Sequence, residues 1–487
     1  FSALLQELSE YPFSNKVINF FQNRSKLQSL IDKCRKHDIG VYLYFNEPRF
    51  LNDNLAKENT GRIGHKYNGE NAICLSLKEN QDYLYNSFLD LFRNLNDLMG
   101  VITITMSENL THCHSKGFCN CERCKDEKPE YFTALVNNLI QKAVNDSHKN
   151  IEVIANVWGW SSFMNWNDEN LINGIKMLDK KISIMAVSEY GLSIEHAKEK
   201  LTLVDYSISN IGPSEITKKI FKLAKEEGHK IYAKIQINNS WECSSVPFFP
   251  NYISLYEHIS NLKEIGVEEC MGSWTLGGYP SKSISLVNEV FNNNNFDINN
   301  WLRINFVDDE RFVEAINELK KGFEKYPFSV DNLYFGPKTL GPANLWDLEN
   351  KLNSSMVCFS RNDYQKWIKP FKVENYLLDY EELFAHFSKA LNLLGNFSSK
   401  EIEELKDFVE ITYLCFKEDY LKTKHLFLTK NGKKDFAKSL ISEEYENTER
   451  FYNLFVKYSE VGFESSNHYF YTERNFIEKL LNLKDNN

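Results

Sequence analysis

The sequence predicts an α/β fold, a (β/α)8 barrel followed by a mainly helical C-terminal domain, and three observations carry that prediction. Short β-branched runs alternate with amphipathic helical stretches through residues 1–291. The runs are apolar without a period of two, as strands covered on both faces of a parallel sheet are. From residue 292, at NNNNFDINN, strand signals stop and long helical patterns take over to residue 487.

Taken in order, the expected strands are 39–45, 100–106, 151–157, 182–187, 204–208, 230–237 and 267–274, with residues 1–5 as the end of an eighth. Between them, helical periodicity covers 15–37, 129–146, 194–201, 213–227 and 252–265. Pro129 stands where a first helical turn tolerates proline, and Ser214 precedes a charged amphipathic run as an N-cap would. A spacing of one strand per few dozen residues suits a barrel. A doubly wound sheet is the alternative, but no glycine-rich phosphate turn follows any strand. In the second domain, 292–487, helices are expected at 308–325, 374–394, 400–422, 442–458 and 472–483. Residues 334–346, YFGPKTLGPANLW, carry two Gly-Pro pairs and read as an ordered loop.

A chain of 487 residues with 42% hydrophobic and 14% aromatic residues has material for a large core, which excludes a disordered protein. The net charge of -10 and the lack of a Lys/Arg-dense stripe speak against nucleic acid, and no apolar run is long enough to span a membrane. The chain opens at Phe1 with neither an initiator methionine nor a secretory-signal pattern. A cytoplasmic location is the expectation, with native start and oligomeric state left open.

The strand ends carry the chemistry. Glu47 and Arg49, Glu108, Trp158 and Trp160, Glu189, Asp205, Gln236 and Asn238, Trp241 and Glu242, Trp274 and Tyr279 lie within or just beyond expected strands. In a barrel these ends converge on one face, where active sites of that fold lie. Carboxylates beside tryptophans are how proteins handle sugars: ring faces stack on indole, amides bind hydroxyls, and a carboxyl pair supplies acid and base or nucleophile. Each residue also has a plain structural reading, as a cap, an ion-pair partner or core filler. The clustering favours function.

The phrases YLYFNEPR, SENLTHCHSKGFCNCERC, VWGWSS, VSEYG, DYSISNIGP, AKIQINNSWE and SWTLGGYPS, in this order, resemble a group of bacterial barrel glycoside hydrolases. They are similar to the family-20-like β-N-acetylhexosaminidases and the related DUF4838-type glycosidases. The resemblance covers roughly the first 290 residues. It implies a glycosidase acting from a chain end on an amino-sugar-containing glycan, and an α/β domain ahead of the barrel. Ser107-Glu108 stands where family-20 enzymes have an adjacent Asp-Glu pair. Glu108 is therefore the expected acid/base, with Glu242 as first choice for its partner and Glu189 as second. Glu47, Arg49, Trp158, Trp160, Asp205, Gln236, Asn238, Trp241, Trp274 and Tyr279 are expected to line the sugar site.

Cys113, Cys119, Cys121 and Cys124 fall within twelve residues and end in Cys-x2-Cys, a set that can wrap one tetrahedral zinc and fix a long loop. A structural zinc is the expectation; disulfides or free thiols are the alternatives. An all-cysteine shell leaves no open position for catalysis, and His112 or His114 in place of one thiolate is the alternative ligand. Two other functions stay in view: a carbohydrate-binding barrel without catalysis, and an interaction module built on the zinc loop, marked by an apolar patch around Phe118.

Overall fold

The computed structural model describes residues 20–107, 109–205, 207–243, 246–273, 279–346, 362–460, 463 and 471–486. The expected strand at 1–5 lies outside them. A six-stranded sheet is built from β1 (Val41–Phe45), β2 (Leu98–Thr103), β3 (Glu152–Asn156), β4 (Ser183–Val187), β5 (Ile231–Lys234) and β6 (Glu269–Met271), neighbouring one another in chain order. The pairings β1–β2, β2–β3 and β3–β4 are parallel, with Leu43 opposite Val101, Val101 opposite Val153 and Ala155 opposite Ile184. The ladder continues through Ile184 N to Lys230 O (2.8 Å) and Ser188 N to Lys234 O (3.1 Å), then through Ile235 N to Met271 O (3.0 Å). Six of the seven expected strands are thus present in the order a barrel would give them.

Burial on both faces accounts for β4 and β5, whereas β1 keeps Tyr42 exposed. Every residue of β4 and of β5 is buried, so neither shows the alternation of a half-exposed strand. Gly100 has a specific task in β2: a Cβ there would come within 2.4 Å of the Tyr42 ring and 2.9 Å of Glu152 O, so only glycine lets β1 and β3 close on it.

The described residues of 204–208 form no strand. β4 and β5 bond directly to each other and leave no place between them, and the backbone N–H groups of Ile208 and Ser209 are spent on the Glu242 carboxylate instead of on a ladder. Residues 194–201, expected as helix, form an antiparallel hairpin of Ser193–His196 and Glu199–Thr202. Its turn residues Ala197 and Lys198 both take left-handed φ, 48° and 64°. That is the hairpin geometry usually supplied by Asn-Gly, so the sequence carries no turn signal. Ile194 and His196 are buried two residues apart, a strand period, and a lone eight-residue helix would be marginal in any case.

The chain divides into two compact units, Phe1–Val187 with Lys218–Ala233, and Ser188–Thr217 with Lys234–Asn487. In the first, helices Lys78–Asn94 and Pro129–Ser147 bury apolar faces, with Phe45 stacked on Phe88 at 5.0 Å. The second holds the helices Glu310–Phe323, Val373–Leu394, Lys400–Lys430, Lys434–Lys457 and Glu473–Asn486, each on an expected helical stretch. They pack on rings: Phe249 lies 4.4 Å from Phe323, and Phe416 5.2 Å from Tyr326. Residues 334–346 are ordered through two 3-10 turns, Pro337–Thr339 and Gly341–Ala343. Ser214 caps as expected, its Oγ accepting from Thr217 N at 3.1 Å ahead of Glu215–Glu226. No helix among the described residues is long and apolar enough to cross a membrane.

Candidate active site and metal centre

The second unit gathers carboxylates at the carboxyl ends of β4 and β5. Glu189 lies two residues beyond Val187 and is fully buried, and neither of its oxygens has a hydrogen-bond partner among the described residues. Burial pushes its pKa well above the ordinary glutamate range, and the negative charges of Glu242 and Asp205 push the same way. His258 Nε2 lies 3.4 Å from Glu189 Oε1 but sits 2.7 Å from Ser188 Oγ. Burial lowers His258 to about 4, so the ring is neutral near pH 7 and offers Glu189 no counter-charge. Gln236 stands two residues beyond β5, buried, with both amide atoms likewise without a partner among the described residues. A neutral carboxylic acid can donate a proton, and an amide without a partner among the described residues can orient a hydroxyl.

Glu242 is also fully buried, but its environment is the opposite one. One oxygen accepts from Ser207 Oγ and from Ser209 Oγ (2.9 Å), the other from Ile208 N (3.1 Å) and Ser209 N (3.0 Å). Burial raises its pKa and these donors pull against that. The carboxylate is clamped by segment 207–209. Asp205 is buried in the same unit. Asn238 donates from Nδ2 to Tyr279 O at 2.7 Å and accepts from Ser281 Oγ at 2.5 Å. Tyr279 stacks on Phe248 at 5.4 Å and its hydroxyl bonds Glu404, while Trp241 meets Tyr334 edge-on at 5.2 Å.

The first unit holds the other predicted residues. Glu47 is buried and accepts from Arg49 N at 2.8 Å, with the Arg49 side chain exposed. Trp158 and Trp160 do not share an orientation, because 158–160 is a turn and the alternation of an extended segment does not apply. Trp158 is half-buried, whereas Trp160 is buried beside Trp166 and donates from Nε1 to Thr105 Oγ1 at 3.1 Å. Glu108 and Trp274 lie outside the described residues.

The cysteine loop folds onto the antiparallel hairpin Ile63–Tyr67/Glu70–Ile73, which the sequence reading did not foresee. The sulfurs of Cys74, Cys113, Cys121 and Cys124 lie within 4.8 Å of one another, all buried. Cys74 to Cys121 is 3.8 Å and Cys74 to Cys124 3.9 Å. A tetrahedral shell with metal–sulfur bonds of about 2.3 Å has edges of about 3.8 Å, whereas a disulfide bond is about 2.05 Å. The cysteines of the cluster are thiols, and their spacing fits one ion. Cys119 falls in a second group, with His114 and Cys124.

Local structure builds this centre. Gly64 makes room, since a Cβ there would sit 2.2 Å from Cys113 Sγ. His65 N and Arg123 Nε point at Cys113 Sγ (3.5 Å) and Cys74 Sγ (3.4 Å), donors that offset thiolate charge. Hydrogen bonding to Cys113 and Cys124 draws the Cys74 thiol far below its usual pKa. Cys74 was missed because it lies far upstream of the cluster in an apolar run, with no spacing to mark it. His258 carries no sequence signal either.

No family model and no curated protein matches the sequence. Among solved structures, the fold is similar to that of a GH138 enzyme targeting pectin rhamnogalacturonan II, at 13% identity and a TM-score of 0.51, over 99% of this chain and 74% of that one. A mutant of an O-GlcNAc hydrolase of Thermobaculum terrenum matches at 11% identity and a TM-score of 0.40, over 94% of this chain and 82% of that one. The first of these likenesses is one of fold, and it is the fold of a glycoside hydrolase.

Proposed function

We propose that the protein is a glycoside hydrolase in which Glu189 is the proton donor, and that the six-stranded sheet is the larger part of a (β/α)8 barrel. The observation that carries the reading is Glu189 itself: a carboxyl at the end of a parallel strand, buried, without a hydrogen-bond partner among the described residues, and kept protonated by burial and by Glu242 and Asp205. Glycosidic oxygens leave poorly unless protonated, and a carboxylic acid held neutral near pH 7 is what that step needs. Glu242 is held in place by Ser207 and Ser209, and Gln236 offers an amide without a partner among the described residues for a sugar hydroxyl. On the sequence grounds given above Glu108 was the expected acid/base, and it lies outside the described residues. The amino-sugar substrate and action from a chain end rest on the sequence resemblance.

The thiol cluster is read as a structural zinc centre held by Cys74, Cys113, Cys121 and Cys124, supported by sulfur spacings that fit a tetrahedral shell. Zinc there would tie the loop to the hairpin and leave no open position. The test of the function is a panel of aryl glycosides that includes N-acetylhexosaminides. Hydrolysis of at least one, abolished on natural glycans by Glu189→Gln, is expected. Glycan binding with no turnover of any substrate would make this a binding protein instead.

A further inference from the structure

The thiol cluster contains more ligands than one ion can use. Cys74, Cys113, Cys119, Cys121, Cys124 and His114 bring five sulfurs and an imidazole together, against the four positions of a tetrahedral zinc. They fall into two groups that share Cys124: the four sulfurs already described, and His114, Cys119 and Cys124. Cys119 Sγ lies 3.6 Å from Cys124 Sγ, again near the edge of a tetrahedral thiolate shell, and accepts from Cys121 N at 3.3 Å.

The independent mark of a ligand is on His114, which is 3% exposed. Its Nε2 is 2.7 Å from Cys124 O. A carbonyl oxygen can only accept, so Nε2 carries the proton and Nδ1 is left with a bare lone pair. Nδ1 is buried and, the Cys119 sulfur of the same group apart, has no hydrogen-bond partner among the described residues. Anchoring one ring nitrogen on a backbone carbonyl while the other stays bare is how ligating histidines are oriented. Phe132, stacked on the ring at 5.5 Å, holds its plane.

We propose that the loop holds two divalent ions of the zinc type bridged by the Cys124 thiolate, the second bound by His114 Nδ1, Cys119 and Cys124 with one position open. This builds on the reading of the four-cysteine centre as a metal site. Five thiolates against two divalent ions leave one net negative charge, which Arg123 faces through Cys74. The three-ligand ion, with its exchangeable position, is the weaker and the more reactive of the two.

The test uses the full chain, reduced and stripped of metal, titrated with Zn2+ and separately with Co2+, and followed by native mass spectrometry and by cobalt–thiolate absorbance. Two ions per chain, filling in two steps, are expected. Cys119→Ser and His114→Gln should each remove the second step and leave the first within about two-fold, whereas Cys74→Ser should abolish the first. Saturation at one ion overturns the second site and leaves the four-cysteine reading standing; no ion at all overturns both. A single ion lost on Cys119→Ser but kept on Cys74→Ser would overturn the division into two groups. The wild-type stoichiometry decides even if a variant fails to fold.

Discussion

Replacing Glu189 by glutamine separates the cost of keeping a buried acid from its use. The side chain is fully buried, with neither oxygen partnered among the described residues, and Glu242 and Asp205 add negative charge nearby. Its folded pKa is therefore raised above the unfolded one. Below about pH 4 both states are protonated and the group costs nothing through ionisation. As pH rises past the unfolded value of about 4.3, the unfolded chain gains by ionising and the folded one does not, so stability falls by about 1.4 kcal/mol per pH unit until the folded pKa is reached. At pH 7 the ceiling on that loss is about 4 kcal/mol. Glutamine has the same shape and does not titrate. Glu189→Gln should match the wild type within about 1 kcal/mol at pH 4 and exceed it at pH 7, by no more than about 4 kcal/mol, measured by urea unfolding at both pH values. Turnover of glycosides with poor leaving groups should drop by about 10²–10⁴-fold, with activated aryl glycosides largely spared because their leaving groups depart unprotonated. A stability difference that does not change between pH 4 and pH 7, or full turnover of natural glycans, would refute the reasoning.

Removing the Glu242 side chain with Glu242→Leu leaves the N–H groups of Ile208 and Ser209 and two serine hydroxyls without their acceptor, and should cost about 3–5 kcal/mol in chemical unfolding. Glu242→Gln keeps most of the contacts but removes the charge that helps hold Glu189 protonated, so the alkaline limb of the pH–rate profile should move to lower pH; an unmoved limb would uncouple the two. Gly64→Ala drives a methyl into Cys113 Sγ and should weaken metal binding by at least ten-fold in a competition titration, while the same change at the open Gly61 should not. Chelation of the metal should lower the melting temperature more than the initial rate measured on protein that is still folded, and the reverse order would argue for a catalytic ion.

What the sequence by itself determined was whatever is written locally. The strands at 41–45, 98–103, 152–156 and 183–187 stand out as mainly apolar runs, and the five long C-terminal helices repeat their apolar residues at helical spacing. Ser214 was legible as a cap, and Cys113, Cys121 and Cys124 as a cluster that could hold a metal ion, because each pattern fits inside a few residues. Tertiary structure decided the rest. Cys74 joins the cluster across a hairpin whose pairing is a long-range event, and Cys119, next to two of the ligands in the chain, turns to His114 because backbone direction within the loop sets where each sulfur points. Segment 204–208 has strand-like residues, but Ile208 and its neighbour Ser209 give their N–H groups to Glu242, and the Ala197–Lys198 turn closes without a turn sequence because burial of Ile194 and His196 holds the hairpin. Glu189 and Glu242 read alike along the chain, two glutamates near strand ends. One is clamped by serine and backbone donors and the other is left bare, because hydrogen-bond supply in a buried site depends on which loops fold over it, and the sequence near either residue does not record that.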